Sequence, residues 1–157
     1  MVEIRFSPGD LAYATTEAVA RFNYNRAKGN DASQGHAPTW VEQVAREISG
    51  CLGEIAIARW QDKYPFALFE ERKMGDVGGF EVRTTAYSTG KLLVNTDDNP
   101  ERKYLLVTLP TPYVACIHGW MYGYEAQTDQ FYNTSMRAPV YAVQQQYLHS
   151  PESLISG

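Results

Sequence analysis

Residues 75–85 read GDVGGFEVRTT, and the periodicity of the chain changes around this stretch. Before it, apolar residues recur at the 3.6-residue spacing of a helix, whereas after it they alternate with polar residues as in strands. The glycines predict a tight bend, and the letters FEVRTT predict a strand that leaves it. Asp76 precedes the bend, and Glu81 and Arg83 flank Val82 in the strand. These residues are either ordinary hairpin charges or part of a functional site.

Two helices are predicted ahead of this stretch. The first runs from near Ser7–Pro8 to Gly29, and the second runs from about Thr39, whose hydroxyl is placed to cap it, to about Trp60. Strands are predicted at 2–6, 66–71, 79–85, 91–96, 103–109, 113–121 and 138–148. Helices that are mainly N-terminal, followed by mostly antiparallel strands, predict an α+β (mixed α/β) fold.

The 157 residues are predicted to form a single domain, with a strand, a helix and a loop at 1–38 and the core at 39–150. Hydrophobic residues make up 44% and charged residues 20%, which is typical of a globular protein rather than a disordered one. No apolar run is long enough to cross a membrane, and a secretory leader is not expected. Cys51 and Cys116 fall in a predicted helix and a predicted strand, so two buried free thiols and a cytosolic location are expected.

The formal net charge of −4 bears on the class of partner. Proteins that coat nucleic acid non-specifically need clustered Lys and Arg to contact phosphates, so the acidic charge argues against that class. It does not exclude a nuclease, because carboxylates gathered around a metal make the total negative while a local groove stays basic.

Glu81 and Arg83 are two residues apart in the predicted strand, so their side chains leave the same face of the sheet. A bend at the preceding glycines would bring Asp76 close to Glu81. Two carboxylates and the main-chain carbonyl of Val82 make an all-oxygen set of ligands suited to Mg²⁺ or Mn²⁺. A cation beside them completes a centre that cleaves phosphodiesters. The alternative is a hairpin whose exposed face carries these three side chains as solvated or ion-paired charges.

The second predicted helix contributes one more carboxylate. Glu54 lies at the border of the apolar stripe of that helix, among small residues that allow the helix to approach a sheet closely. From this border its carboxylate can reach the predicted strand, so Asp76, Glu81 and Glu54 are expected to converge. The alternative is an ordinary glutamate at the edge of a helix.

Four segments in this order resemble the PD-(D/E)XK nuclease superfamily with its restriction-endonuclease-like core, and in particular small phage and prophage proteins. They are GCLGEIAIARW at 50–60, GDVGGFEVRTT at 75–85, KYLLVTL at 103–109 and ACIHGWMYGYEA at 115–126. The resemblance covers roughly residues 40–150. It implies a central mixed β-sheet flanked by helices and an enzyme that hydrolyses DNA phosphodiester bonds with Mg²⁺ or Mn²⁺.

The resemblance also implies roles for single residues. Asp76 would be the principal metal ligand, Glu81 the second and the Val82 carbonyl a third, while Glu54 would bind or orient the metal. Arg83 stands where the superfamily has lysine. Arginine is always protonated and cannot accept a proton, but it can stabilise the charge of a pentacovalent phosphorane.

Two functions therefore stay open at this point. The first is a nuclease acting on DNA in the cytoplasm of a bacterial host cell, encoded by a phage or prophage, with a homodimer as one possible state. The second is a catalytically inactive protein of the same fold that binds nucleic acid or a host protein, as an acidic mimic or counter-defence factor. Arg83 and the acidic net charge favour the second function, whereas the trio of acids favours the enzyme. A weaker third possibility is an unrelated β-rich binding module whose charges coincide with the motif.

Residues outside the motif are interpreted as structural. Asp97 and Asp98, in a charged turn, are expected to lie in a solvated loop rather than on a metal. The three histidines have no metal-ligand spacing, so they are expected to be structural or surface residues.

Overall fold

The computed structural model describes residues 1–27, 39–63, 77–136 and 138–155. In these ranges the helices are α1 (Pro8–Ala27), α2 (Trp40–Trp60) and the short α3 (Gly123–Ala126). The strands are β1 (Val2–Arg5), β2 (Phe80–Thr85), β3 (Leu92–Asn95), β4 (Lys103–Thr111), β5 (Val114–Tyr122), β6 (Tyr132–Asn133) and β7 (Val140–Val143), and 3₁₀ turns lie at Asp129–Phe131, Gln145–Tyr147 and Pro151–Leu154. The α+β class with mainly N-terminal helices is confirmed, while the strand predicted at 66–71 and the predicted loop at 31–38 lie outside the described residues.

Helix α2 begins where its sequence predicts. The Thr39 hydroxyl accepts a hydrogen bond from the Glu42 amide (3.3 Å), and the Glu42 carboxylate accepts one from the Thr39 amide (2.7 Å), which is the reciprocal capping box. All residues from Cys51 to Ala58 are buried, so this half of the helix is enclosed on every side. Cys51 and Cys116 are buried free thiols, as expected, and burial raises the pKa of Cys51 to about 12. No helix in the described ranges is long and apolar enough to span a membrane.

The first sheet has the strand order β1-β5-β4-β2. Strands β1, β5 and β4 pair antiparallel, while β2, the last of the described strands in this order, runs parallel to β4 with Val82 opposite Leu105. The sheet is therefore mixed, as predicted. Helix α2 packs on one face of it, and the cluster between them includes Val82, Leu105 and Ile55.

A second, three-stranded sheet covers the opposite face and has the order β3-β7-β6. It encloses a second buried cluster that includes Leu92, Leu106 and Phe131. Strand β3 does not join the first sheet but pairs antiparallel with β7, about 50 residues later in the chain. Alternating residues predict a strand but do not reveal its partner. The result is three layers: helices, the first sheet and the second sheet.

The contact between α2 and β2 depends on a missing side chain. Gly53 faces Thr84 so closely that a Cβ at Gly53 would collide with the Thr84 hydroxyl. This close approach fixes the helix over the strand and sets the direction in which each face of β2 points. A Cβ on Gly50, one turn earlier in the same helix, would meet no atom of the described ranges within 4 Å.

Replacing Gly53 by alanine is therefore expected to lower the free energy of unfolding by about 1–3 kcal/mol, the usual cost of overpacking. Gly50→Ala is the matched control and is expected to raise stability by up to about 1 kcal/mol, because alanine favours helix without a clash. Urea unfolding followed by circular dichroism measures both variants. Thr84→Ala should restore part of the loss in the Gly53→Ala background, since the buried Thr84 hydroxyl has no hydrogen-bond partner among the described residues. Equal effects of the two glycine substitutions would contradict this contact.

Candidate functional site

Glu81 and Arg83 leave the same face of β2, as the strand periodicity predicts. Val82, between them, points the other way into the cluster beneath α2. The face that carries Glu81 and Arg83 therefore points away from α2 and toward β3 and the turn that follows it. Both side chains are partly buried there, with 21% and 29% of their surfaces exposed.

Arg83 is held by the β3–β4 region. Its Nη2 donates to Oδ2 of Asp98 (2.8 Å), and its Nε donates to the carbonyl oxygen of Leu93 (3.3 Å). The guanidinium carbon lies 5.1 Å from the centre of the Tyr104 ring, a cation–π distance. Three different groups thus fix one guanidinium in position.

Glu81 is paired with a second arginine. Nη1 of Arg102 donates to Oε1 of Glu81 (2.9 Å), while Nη1 of Arg83 lies 3.9 Å from Oε2 of the same carboxylate. We call Glu81, Arg83, Asp98 and Arg102 the arginine–carboxylate cluster. Its formal charges cancel, and all four side chains are only 18–29% exposed. Such a cluster is half-shielded from water, so its charges act on one another and on a bound anion more strongly than surface charges do.

Asp98 does not lie in a solvated loop, contrary to expectation. Its Oδ2 accepts from the Asn95 amide (2.8 Å) as well as from Arg83. The Gln127 side chain donates to the carbonyl oxygens of Asn95 (3.0 Å) and Asp98 (2.9 Å) and so pins the turn from the other side. Asp97, its neighbour, is exposed as expected. The turn after β3, which is a run of charged residues in the sequence, therefore holds Arg83 in position.

Tyr104 forms the floor of the cluster. It is almost fully buried, and its hydroxyl donates to the carbonyl oxygen of Asn99 (3.0 Å). Burial, together with the negative charge of Asp98, raises the pKa of Tyr104 to about 12. The phenol is therefore neutral at physiological pH and serves as a hydrogen-bond donor and a ring for Arg83.

Glu54 is not brought together with Glu81. Its carboxylate accepts two hydrogen bonds from Arg21 of α1, from Nη1 to Oε1 and from Nη2 to Oε2, both 2.7 Å long. Both residues are buried, on the side of the first sheet that faces the helices. Glu81 leaves the opposite face of that sheet. The expected convergence of Glu54 with the strand carboxylate is therefore wrong, because α2 covers the Val82 face of β2.

Burial alone would lower the pKa of Arg21, but its hydrogen bonds to Glu54 and the charge of that carboxylate outweigh the burial and raise the pKa. The guanidinium therefore stays charged inside the protein. Glu17, one turn earlier on α1, adds a carboxylate oxygen 3.7 Å from Nε of Arg21. Glu54 is thus the partner of a structural ion pair that joins the two long helices.

Asp76 lies outside the described residues, so its position relative to Glu81 stays a prediction. Val82 is the third of the six residues of β2, and its carbonyl is part of that strand. Across the ranges that the structure describes, no group of three or more His, Cys, Asp and Glu side chains lies close enough to hold a metal ion. A metal centre here would use Glu81 as its described carboxylate and would depend on Asp76 for the other.

A groove opens beside the cluster at the end of β2. It has a volume of about 510 Å³, and Arg83 is one of its lining residues. Its walls come from the C-terminal half of β2, the loop 86–91 and the end of β6, and they include Thr85, Tyr87, Lys91 and Asn133. This volume lies within the range of roughly 300–1,000 Å³ of pockets that hold small molecules. Two cations and several hydroxyls therefore line a cavity next to the partly buried carboxylates.

His118 lies near this region and is structural in its contacts, as expected. Its Nε2 and the hydroxyl of buried Thr108 are 2.8 Å apart. Burial lowers the pKa of His118, and the positive N-terminus lowers it further. The folded protein therefore favours the neutral imidazole.

Because an unfolded chain protonates histidine near pH 6.5, the free energy of unfolding is expected to fall as the pH drops below about 6.5. The unfolded state then binds a proton that the folded state resists. In urea titrations between pH 7.5 and 5, His118→Gln should show a weaker loss of stability than the wild type. If the stability of this variant falls with pH as steeply as that of the wild type, groups other than His118 cause the loss of stability.

Three residues of this site were not anticipated from the sequence: Arg102, Asp98 as the partner of Arg83, and Arg21 as the partner of Glu54. Arg21 has a detectable signal, because it continues the buried stripe Ala14 and Ala18 at helical spacing. A charge inside an apolar stripe implies a buried partner. Arg102 and Asp98 carry no such signal, since both lie in a turn whose path depends on the second sheet.

Comparisons with models of protein families, with curated proteins and with solved structures give no match to this chain.

Proposed function

We propose that this protein is a metal-dependent nuclease that hydrolyses phosphodiester bonds of DNA, with Glu81 and Arg83 at its centre. The observation that carries the proposal is their placement: a carboxylate and a guanidinium leave one face of β2, partly buried, beside a groove of about 510 Å³. The resemblance of the 75–85 stretch to the PD-(D/E)XK superfamily supports the same assignment. A phage or prophage origin and a cytoplasmic setting belong to this proposal, and the two buried free thiols support the latter.

The residues that would hold the metal are Asp76, Glu81 and the Val82 carbonyl. Carboxylate and carbonyl oxygens suit Mg²⁺ or Mn²⁺ better than softer metals. When bound, such an ion lowers the pKa of a water molecule and neutralises charge on the phosphate. Glu54 is left out of this set because Arg21 already occupies both of its oxygens.

Two arginines of the chain, Arg83 and Arg102, would assist the reaction. Arg83 cannot remove a proton from water, but its fixed guanidinium can stabilise the negative charge that develops on the phosphorane. Asp98, Leu93 and Tyr104 hold it in one position, so little reorganisation is needed when the charge appears. Arg102 orients the Glu81 carboxylate through the 2.9 Å contact and is a positioning residue.

A second candidate function is a catalytically inactive protein of the same fold that binds nucleic acid or a host protein. The ion pair between Arg102 and Glu81 favours it, because a carboxylate neutralised by arginine competes less well for a metal. The net formal charge of zero in the arginine–carboxylate cluster also favours this second function. Such a protein would bind a partner through this surface without cleaving it.

Cleavage of labelled linear duplex, single-stranded and four-way-junction DNA with Mg²⁺ or Mn²⁺ distinguishes the two functions. EDTA and an Asp76→Ala/Glu81→Ala double variant are the controls. Cleavage that requires metal and disappears in the double variant is the expected result. If folded protein does not cleave any substrate, and Arg83→Lys is equally inactive, the second candidate replaces the first. Sedimentation of the same samples reports whether a homodimer forms.

A further inference from the structure

The loop 86–91, between β2 and β3, separates two depressions. The first is the groove beside Arg83, and the second has a volume of about 570 Å³ and is lined by His118 and Gln144–Gln146. Thr89 and Lys91 line both depressions, so the two adjoin at this loop. Together they form a path that starts at the arginine–carboxylate cluster and passes Lys91. We call this path the loop groove.

Hydrogen bonds hold the loop 86–91 in place. The Gln145 side chain donates to the carbonyl oxygens of Ser88 (2.8 Å) and Gly90 (3.0 Å). Within the loop, the Gly90 amide donates to the carbonyl of Tyr87 (2.9 Å), which closes a tight turn. Gly90 fits there because a Cβ would collide with the Thr85 side chain and crowd the Tyr87 carbonyl. The chain therefore presents the Tyr87 side chain from a preorganised turn.

Tyr87 is the most exposed of the large hydrophobic side chains in the described ranges, with 77% of its surface accessible. A large exposed ring on a fixed turn, in a groove that Arg83 and Lys91 also line, matches the way proteins bind single-stranded nucleic acid: bases stack on aromatic rings, and cations follow the phosphates. A base in a duplex is stacked on both faces and cannot offer one to Tyr87. The acidic net charge also disfavours the broad phosphate contacts that duplex binding uses.

We infer that the loop groove binds single-stranded DNA, with an unpaired base stacked on Tyr87 and a phosphate on Lys91. The inference rests on the proposed function and names its substrate class: the strand enters along the loop groove and delivers a phosphodiester to the face of Glu81 and Arg83. Gln144 and Gln146 line the far depression and supply amide groups for base edges. The preferred substrates are then single strands, flaps and frayed ends rather than intact duplex.

Binding is measured by fluorescence anisotropy with a labelled 12-mer of oligo-dT and with a hairpin duplex of equal length. Two series are run, one in EDTA and one with Ca²⁺ in place of Mg²⁺, so that cleavage does not interfere. The wild type should bind the single strand at least about tenfold more tightly than the duplex. Tyr87→Ala should weaken single-strand binding about five- to 100-fold, the effect of losing one base–aromatic stack. Lys91→Ala should weaken it and reduce the slope of log K against log salt by about 0.7, the value for one phosphate contact on a single strand.

Tyr24→Ala and Arg46→Ala are the matched controls, because both residues lie on the helices, on the far side of the first sheet. They should leave binding unchanged, and circular dichroism confirms that each variant is folded. Equal affinity for single strand and duplex, or no effect of Tyr87→Ala, overturns the inference.

Different results would contradict the inference and the proposed function. Metal-dependent cleavage that does not depend on Tyr87 keeps the nuclease and removes the loop groove as its substrate path. Tyr87-dependent binding without cleavage keeps the loop groove and turns the protein into a binding module.

Discussion

Replacing Arg21 by methionine is expected to lower the free energy of unfolding by about 3–5 kcal/mol. Arg21 donates two hydrogen bonds of 2.7 Å to Glu54, and both residues are buried between α1 and α2. Methionine fills a similar volume but leaves the Glu54 carboxylate without its counter-charge inside the protein. Removing one partner of a buried pair costs more than the pair contributes, because the remaining charge is desolvated and uncompensated.

The matched control replaces both partners. Arg21→Met/Glu54→Leu removes both members of the pair and leaves only Glu17, whose side chain is 13% exposed, without its arginine, so it should recover part of the stability lost in the single variant. Urea unfolding of wild type, single and double variants measures this. A single variant as stable as the wild type, or a double variant no better than the single one, would contradict a buried ion pair between the helices.

Replacing Glu81 by glutamine is expected to lower the rate of metal-dependent DNA cleavage by at least about 100-fold. Even residues that only orient a metal ligand change activity by about 10–100-fold, and Glu81 is proposed to bind the metal directly. Glutamine has nearly the same size and shape as glutamate and can still form hydrogen bonds, but it carries no negative charge. The fold should survive, because the Glu81 side chain is partly exposed and its pairing with Arg102 lies at the rim of the second cluster.

The control for this variant is Glu125→Gln, a carboxylate paired with His149 outside the loop groove. Its cleavage rate should equal that of the wild type. Near-wild-type cleavage by Glu81→Gln would remove Glu81 from the catalytic centre. Isothermal titration with Mn²⁺ then reports separately whether metal binding has changed.

Local patterns in the sequence predict much of the fold. The spacing of apolar residues and the Thr39 hydroxyl place α2 within a residue of its observed ends, because a capped amphipathic helix is determined by neighbours in sequence. The alternation in FEVRTT likewise predicts β2 and the common face of Glu81 and Arg83. The parallel pairing of β2 with β4 and the separate second sheet are not predictable in this way, since they depend on partners far along the chain.

The same limit explains the error at Glu54. Its position at the border of an apolar stripe correctly indicates proximity to a sheet. However, the face of that sheet and the presence of Arg21 depend on how α1 crosses α2, which no local pattern specifies. Conversely, the pairing of Arg83 with Asp98 arises because the turn after β3 folds back beneath β2. Long-range packing therefore decides which charges meet, even where each charge is visible in the sequence.

The most direct test is a side-by-side measurement of DNA cleavage rates with Mg²⁺ for the wild type, Glu81→Gln and Arg21→Met/Glu54→Leu. If the catalytic centre lies on the Glu81 face of β2, the wild type and the double variant cleave at similar rates, while Glu81→Gln is inactive. The assignment is contradicted if the double variant folds but does not cleave, or if the Glu81→Gln variant cleaves as fast as the wild type. Either result would place the catalytic centre elsewhere.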